Sequence, residues 1–169
     1  MNVRDLDAAT LEHARELLTA CCGAAPWVDA MLVARPFGDR ETLFTSADRA
    51  WKALTEAQLE AAIARHPRLG ESRAKAALSA REQAWSAGEQ SGVGAADDAA
   101  RAALVQGNED YERRFGHTFI LCATGLGPAQ MLAALRERLA NDERTERAIT
   151  ARELHKITRL RLEKLLAQA

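Results

Sequence analysis

Phe119-Ile120-Leu121-Cys122-Ala123 is the one stretch of this 169-residue chain that reads as a β-strand, and the fold class turns on it. On periodicity alone a short apolar run suits a buried strand or a buried helix segment equally. A strand, however, needs a neighbour to satisfy its backbone N–H and C=O groups. No second strand-like run occurs, so these five residues are expected to form a buried extended segment or a helix start. The chain is dominated by Ala and Leu and is only 5% aromatic, which favours helix. The expectation is an all-α bundle of about eight helices, one domain spanning residues 1–169.

On the C-terminal side, Gly125-Leu126-Gly127-Pro128 is a turn with Pro128 placed to open a helix. Met131, Leu135 and Leu139 mark the core face of that helix. Asn141-Asp142 separates it from a long last helix, Glu143 to Leu166. On the N-terminal side, Gly116 closes a helix opened by Asp97 or Asp98 and running through Leu104 to Tyr111 and Phe115. Ser91-Gly92-Val93-Gly94 ends an alanine-rich helix over about 72–90. Thr55 and Gln58 fit a capping box for a helix that reaches His66. Ser46 is a candidate cap for a helix holding Trp51 and Leu54. Pro26 opens a short helix with Trp27, Ala30, Met31 and Ala34 on one side. Leu11 to Cys21 forms the first amphipathic helix, ended by Gly23.

A formal net charge of −1 with 28% charged residues provides no global field for nucleic acid or an anionic membrane. No apolar run is long enough to cross a bilayer. The first residues carry acids and no apolar signal core, and Cys21, Cys22 and Cys122 form no metal-type or paired spacing. A cytoplasmic protein with no structural disulfide and no metal is expected.

Four features carry chemistry. Pro67 lacks an N–H and disfavours helical geometry at the residue before it, so His66 falls at a helix end, where a side chain points into a cleft. A cation near the negative helix end is the plainer reading. Arg161 lies on the apolar stripe of the last helix with Leu154, Ile157, Leu160 and Leu165, and so needs a partner. That partner is either an internal acid or a planar anion held by its two-pronged fork. Ser79/Glu82/Gln83 and Ser86/Glu89/Gln90 repeat the form S-x-x-E-Q seven residues apart, each set on one helix face. Such a face is a solvated stripe unless it looks into a pocket. The run Phe119 to Ala123 either packs in the core or lends backbone groups to a ligand. On these residues alone, an enzyme built on His66 competes with a non-catalytic helical module that binds a small anion through Arg161.

Taken in order, H-P-R-L-G-E (66–71), W-S-x-x-E-Q-S-G (85–92), N-x-x-Y-E-x-R-F-G-H-x-F-I-L-C-A-T-G (108–125), R-L-x-N-D (138–142) and E-L-x-K-I-T-R-L-R-L (153–162) resemble a known family. It is that of the 2-oxo-4-hydroxy-4-carboxy-5-ureidoimidazoline (OHCU) decarboxylases, in their bacterial form. The resemblance covers nearly the whole chain.

It implies an all-helical, cofactor-free homodimer of urate breakdown that converts OHCU to (S)-allantoin. By the family's pattern His66 is catalytic, with Glu89 its partner. Pro67, Ser86, Gln90 and Arg161 bind substrate, and Phe119, Ile120, Leu121, Cys122 and Ala123 supply backbone contacts. Ser79/Glu82/Gln83 is the other way to align the middle helix.

Overall fold

Side-chain caps set where most of the described helices begin; those starting at Ala25 and Pro128 have none. The computed structural model describes residues 1–70 and 78–167; these residues form nine α-helices and one short 3-10 turn, with no β-strand among them. Two compact units appear, one of residues 1–62 with the chain from His155 onward, the other Ile63–Leu154.

In the first unit, α1 (Val3–Ala8) opens on an Asn2/Asp5 capping box, an element absent from the sequence reading. Its C-terminal end is held by Arg35, which donates to the Asp7 and Ala9 carbonyls at 2.7 and 2.6 Å. These are carbonyls that a helix end leaves without an internal partner. Helices α2 (Leu11–Cys21) and α3 (Ala25–Val33) lie where expected. However, α3 buries Trp27, Val28, Met31 and Leu32, while Ala30 and Ala34 face solvent. The Trp27 indole donates to the Ala47 carbonyl at 3.0 Å. Helix α4 (Arg40–Lys52) is capped by Asp39, not Ser46, which lies in mid-helix. Asp39 accepts the Thr42 N–H at 2.8 Å, a bond that a residue within the helix does not offer. Helix α5 (Glu56–Arg65) starts at the expected Thr55/Gln58 box.

The second unit holds α6 (Ala80–Glu89), the 3-10 turn (Ser91–Ala95), α7 (Asp98–Phe115) and α8 (Pro128–Leu139). Helix α9 (Glu143–Ala167) runs on into the first unit's share of the chain. The expected helix over 72–90 is observed only from Ala80; residues 71–77 lie outside the described ones. Gly116 ends α7 in the left-handed region, φ +74°, as its position suggested. A core of Leu69, Leu104, Tyr111, Phe119, Met131 and Leu135 joins α7 and α8 to the run 119–123. Gly92 permits a close approach, since a Cβ there would lie 2.0 Å from the Leu126 carbonyl oxygen.

Candidate active site

Helix α5 ends at Arg65, and the His66 N–H folds back to the Ile63 carbonyl at 3.0 Å. The break expected from Pro67 is therefore present. His66, Pro67 and Arg68 are half-buried, and Leu69 is buried.

What holds this short loop is a set of side chains from α6 and α7. Arg65 donates to Glu82 at 3.1 Å. Arg68 grips Glu112 through Nε at 2.8 Å and Nη2 at 2.5 Å, a fork-on-carboxylate pair that fixes direction as well as distance. Asn108 donates to the Leu69 carbonyl at 2.8 Å, and the Gly70 N–H donates to Gln90 Oε1 at 2.8 Å. Gly70 takes φ +82°, a conformation that side chains rarely adopt. Asn108 and Glu112 are four apart on one face of α7, so a single helix face grips the loop twice.

The duplicated S-x-x-E-Q resolves into two different structures. Ser79 is the N-cap of α6, and Glu82 closes the capping box by accepting the Ser79 N–H at 2.8 Å. The first copy is also the helix start, but α6 runs unbroken from Ala80 to Glu89, so Glu82 and Glu89, seven residues apart, share a face and are both buried. In the second copy Ser86 and Glu89 are buried, at 8% and 7% exposed, and Gln90 ends the helix. This polar face is not a solvated stripe. Gln90 ties it to the loop that carries His66.

The run Phe119 to Ala123 is neither helix nor paired strand. The Arg138 Nη1 donates to the Ile120 carbonyl at 2.5 Å, and the Cys122 N–H donates to Glu153 at 3.0 Å. Behind it lies a buried ionic network that the sequence reading did not assign. Arg138 donates from Nε to Glu146 at 2.8 Å and from Nη2 to Thr150 at 2.9 Å. Its guanidinium stands 4.5 Å over the Phe119 ring. Glu146, with no exposed surface, also accepts from Asn141 at 2.8 Å and from the Tyr111 hydroxyl.

Burial pushes the Glu146 carboxyl up, but hydrogen bonds from Arg138, Tyr111 and Asn141 outweigh it and hold the group below the usual range. Burial, aided by the bond to Glu146, pushes the Tyr111 hydroxyl the other way, well above its ordinary value.

A pH dependence follows. A carboxyl depressed in the fold stabilises it above the unfolded-state pKa, and that stability disappears as pH falls through the folded value. The urea midpoint is expected to fall as pH drops from about 5 towards 3. Glu146→Gln should flatten that fall; an unchanged slope would show that Glu146 does not contribute to it.

Arg161 belongs to the first unit, 5% exposed, with Nη1 directed at the Ala20 carbonyl at 3.4 Å, in the last turn of α2. Of the other histidines, His13 is exposed. His155 is not simply on a polar face. It stacks on Trp51 at 4.9 Å and bonds Asp48, which also takes Arg159. His117 meets the edge of Tyr111. No group of three or more His, Cys, Asp and Glu able to hold a metal occurs among the described residues. No described helix is long and apolar enough to cross a membrane.

Comparison with known proteins bears directly on this arrangement. The family described as OHCU decarboxylase matches residues 7–163. The 2-oxo-4-hydroxy-4-carboxy-5-ureidoimidazoline decarboxylase of Amia calva is 31% identical over 172 residues, spanning 98% of this chain and 95% of that protein. The uric acid degradation bifunctional protein TTL of Arabidopsis thaliana is 33% identical over 148 residues; the match covers 87% of this chain and 45% of that protein. The chain thus matches less than half the length of the Arabidopsis protein. A crystal structure of an OHCU decarboxylase, determined in the presence of (S)-allantoin, superposes with a TM-score of 0.75 at 30% identity. It covers 90% of this chain and 99% of that one. With the family pattern spanning α2 to α9 and the His66 loop anchored between α6 and α7, the chain belongs to the OHCU decarboxylase family.

Proposed function

We infer that this chain decarboxylates OHCU to (S)-allantoin, a step of urate degradation. The observation that carries the reading is the anchored His66 loop, tied through Gln90 to the buried Ser86/Glu89 face in a chain of this family.

OHCU bears a carboxylate and a hydroxyl on one ring carbon, next to a C=N bond. When the C–CO₂ bond breaks, its electron pair forms a new C=C bond and the C=N pair moves onto nitrogen, which takes a proton. The ring is its own electron sink, so the reading calls on no cofactor. The hydroxyl then gives up its proton as the ring carbonyl forms, and a proton is delivered to the ureido-bearing carbon. Delivery to one face of that carbon makes one enantiomer.

In this reading His66 is the general acid and Glu89 its partner, orienting it or taking the hydroxyl proton. Glu82 is committed to the α6 cap and to Arg65, which favours the second copy, Ser86/Glu89/Gln90, as the site face. Gln90 Oε1 holds the loop and its Nε2 is the group offered to substrate. Pro67 lines the site, and Phe119 to Ala123 supply backbone contacts. Arg161 holds the polar periphery. A tight grip on the departing carboxylate would oppose its loss, since only contacts that strengthen in the transition state accelerate the step. The working unit is a cytoplasmic homodimer, its stoichiometry open to sedimentation analysis.

Fresh OHCU, generated by oxidising and hydrolysing urate in the cuvette, supplies the test. Its absorbance should decay faster than spontaneously, in proportion to added protein. Decay at the spontaneous rate with a folded chain would refute the activity.

A further inference from the structure

The two groups that grip the run 119–123 do so in the manner of a sheet neighbour. In an extended chain the carbonyl of one residue and the N–H two residues on point to the same edge, while the residue between presents both its groups to the opposite edge. Arg138 takes the Ile120 carbonyl and Glu153 takes the Cys122 N–H. These are the two bonds that a parallel strand would make around Leu121. Arg138 and Glu153 are themselves buried, at 5% and 8% exposed, on α8 and α9, so the surrogate edge is fixed by two helices. Leu121 is half-buried, and among the described residues neither its N–H nor its C=O has a hydrogen-bond partner. A donor and an acceptor side by side on one residue match the edge of an amide or urea, which offers one of each.

We propose that Arg138 and Glu153 are positioning residues that replace a missing sheet partner, holding Leu121 so that its N–H and C=O pair with the ureido group of the ligand. This inference rests on the decarboxylase reading above. It assigns Arg138 and Glu153 no contact with substrate. Their effect is on the grip of the ureido end, so it falls on binding and not on the chemical step.

Glu153 provides the cleaner test, because Arg138 also balances Glu146. Glu153→Ala removes the acceptor for the Cys122 N–H, whereas Glu153→Gln keeps an acceptor oxygen there. Steady-state rates with OHCU should show KM raised about tenfold in Glu153→Ala with kcat within about twofold, and KM restored in Glu153→Gln. The competitive inhibition constant of (S)-allantoin should move with KM. Hydrogen exchange at the Cys122 amide, read without any substrate, should be faster in Glu153→Ala and return towards wild type in Glu153→Gln.

Unchanged KM in a Glu153→Ala chain that still turns over OHCU would overturn this inference alone. So would a loss in kcat that Glu153→Gln fails to restore. A wild-type chain inactive on OHCU would overturn the functional reading itself, and the inference with it.

Discussion

His66→Ala is expected to lower turnover of OHCU by about 10²–10⁴-fold, the usual contribution of a positioned acid or base. The fold should survive the change. His66 is half-buried, its N–H bond to Ile63 belongs to the backbone, and the loop is held by side chains that the substitution does not touch. Unfolding free energy should stay within about 1 kcal/mol of the parent chain. Activity and stability therefore separate, which distinguishes a chemical role for His66 from a structural one. Turnover within threefold of the parent would remove His66 from the mechanism.

Glu146→Gln has the opposite signature. The carboxylate is fully buried and takes the Arg138 guanidinium through two nitrogens, so the substitution strands a buried positive charge. Breaking a buried pair in this way costs about 3–5 kcal/mol, although the intact pair itself contributes little beyond what an apolar replacement would. For a chain of this size that corresponds to roughly 6–20 °C in the thermal midpoint. Replacing both partners, Arg138→Met with Glu146→Leu, should recover part of the loss by removing the stranded charge. The Ile120 carbonyl would still lose its donor, so recovery should be incomplete. A Glu146→Gln chain as stable as the parent would mean that the network is not a closed ionic unit.

The parts of the site that depend on local rules were legible in the sequence. Pro67 breaks α5 at His66, and the run 119–123 enters neither a helix nor a paired strand. Gly116 and Pro128 bound α7 and α8 where turn chemistry puts them. The caps were less legible, because Ser46 and Asp39 both suit a helix start and only packing decides between them. The repeated S-x-x-E had two meanings at once, a capping box at Ser79 and a buried face at Ser86. Nothing local distinguishes them.

What escaped was tertiary. Asn108 and Glu112 reach the loop across some 40 residues of chain. No periodicity shows that they grip Leu69 and Arg68 and not water. Arg138 was within reach of the argument applied to Arg161. It follows Met131 and Leu135 at helical spacing on the core face of α8, where the sequence reading placed Leu139. A charged residue on an apolar stripe demands a partner, and Glu146, four residues before Thr150 on α9, supplies it.

The handedness of the product tests the central claim most directly. Freshly generated OHCU would be mixed with the purified chain and the circular dichroism of the allantoin followed, with His66→Ala alongside. The account predicts rapid build-up of (S)-allantoin with the parent chain, and slow formation of racemic product with the variant. Racemic allantoin formed at the spontaneous rate by a folded parent chain would contradict it.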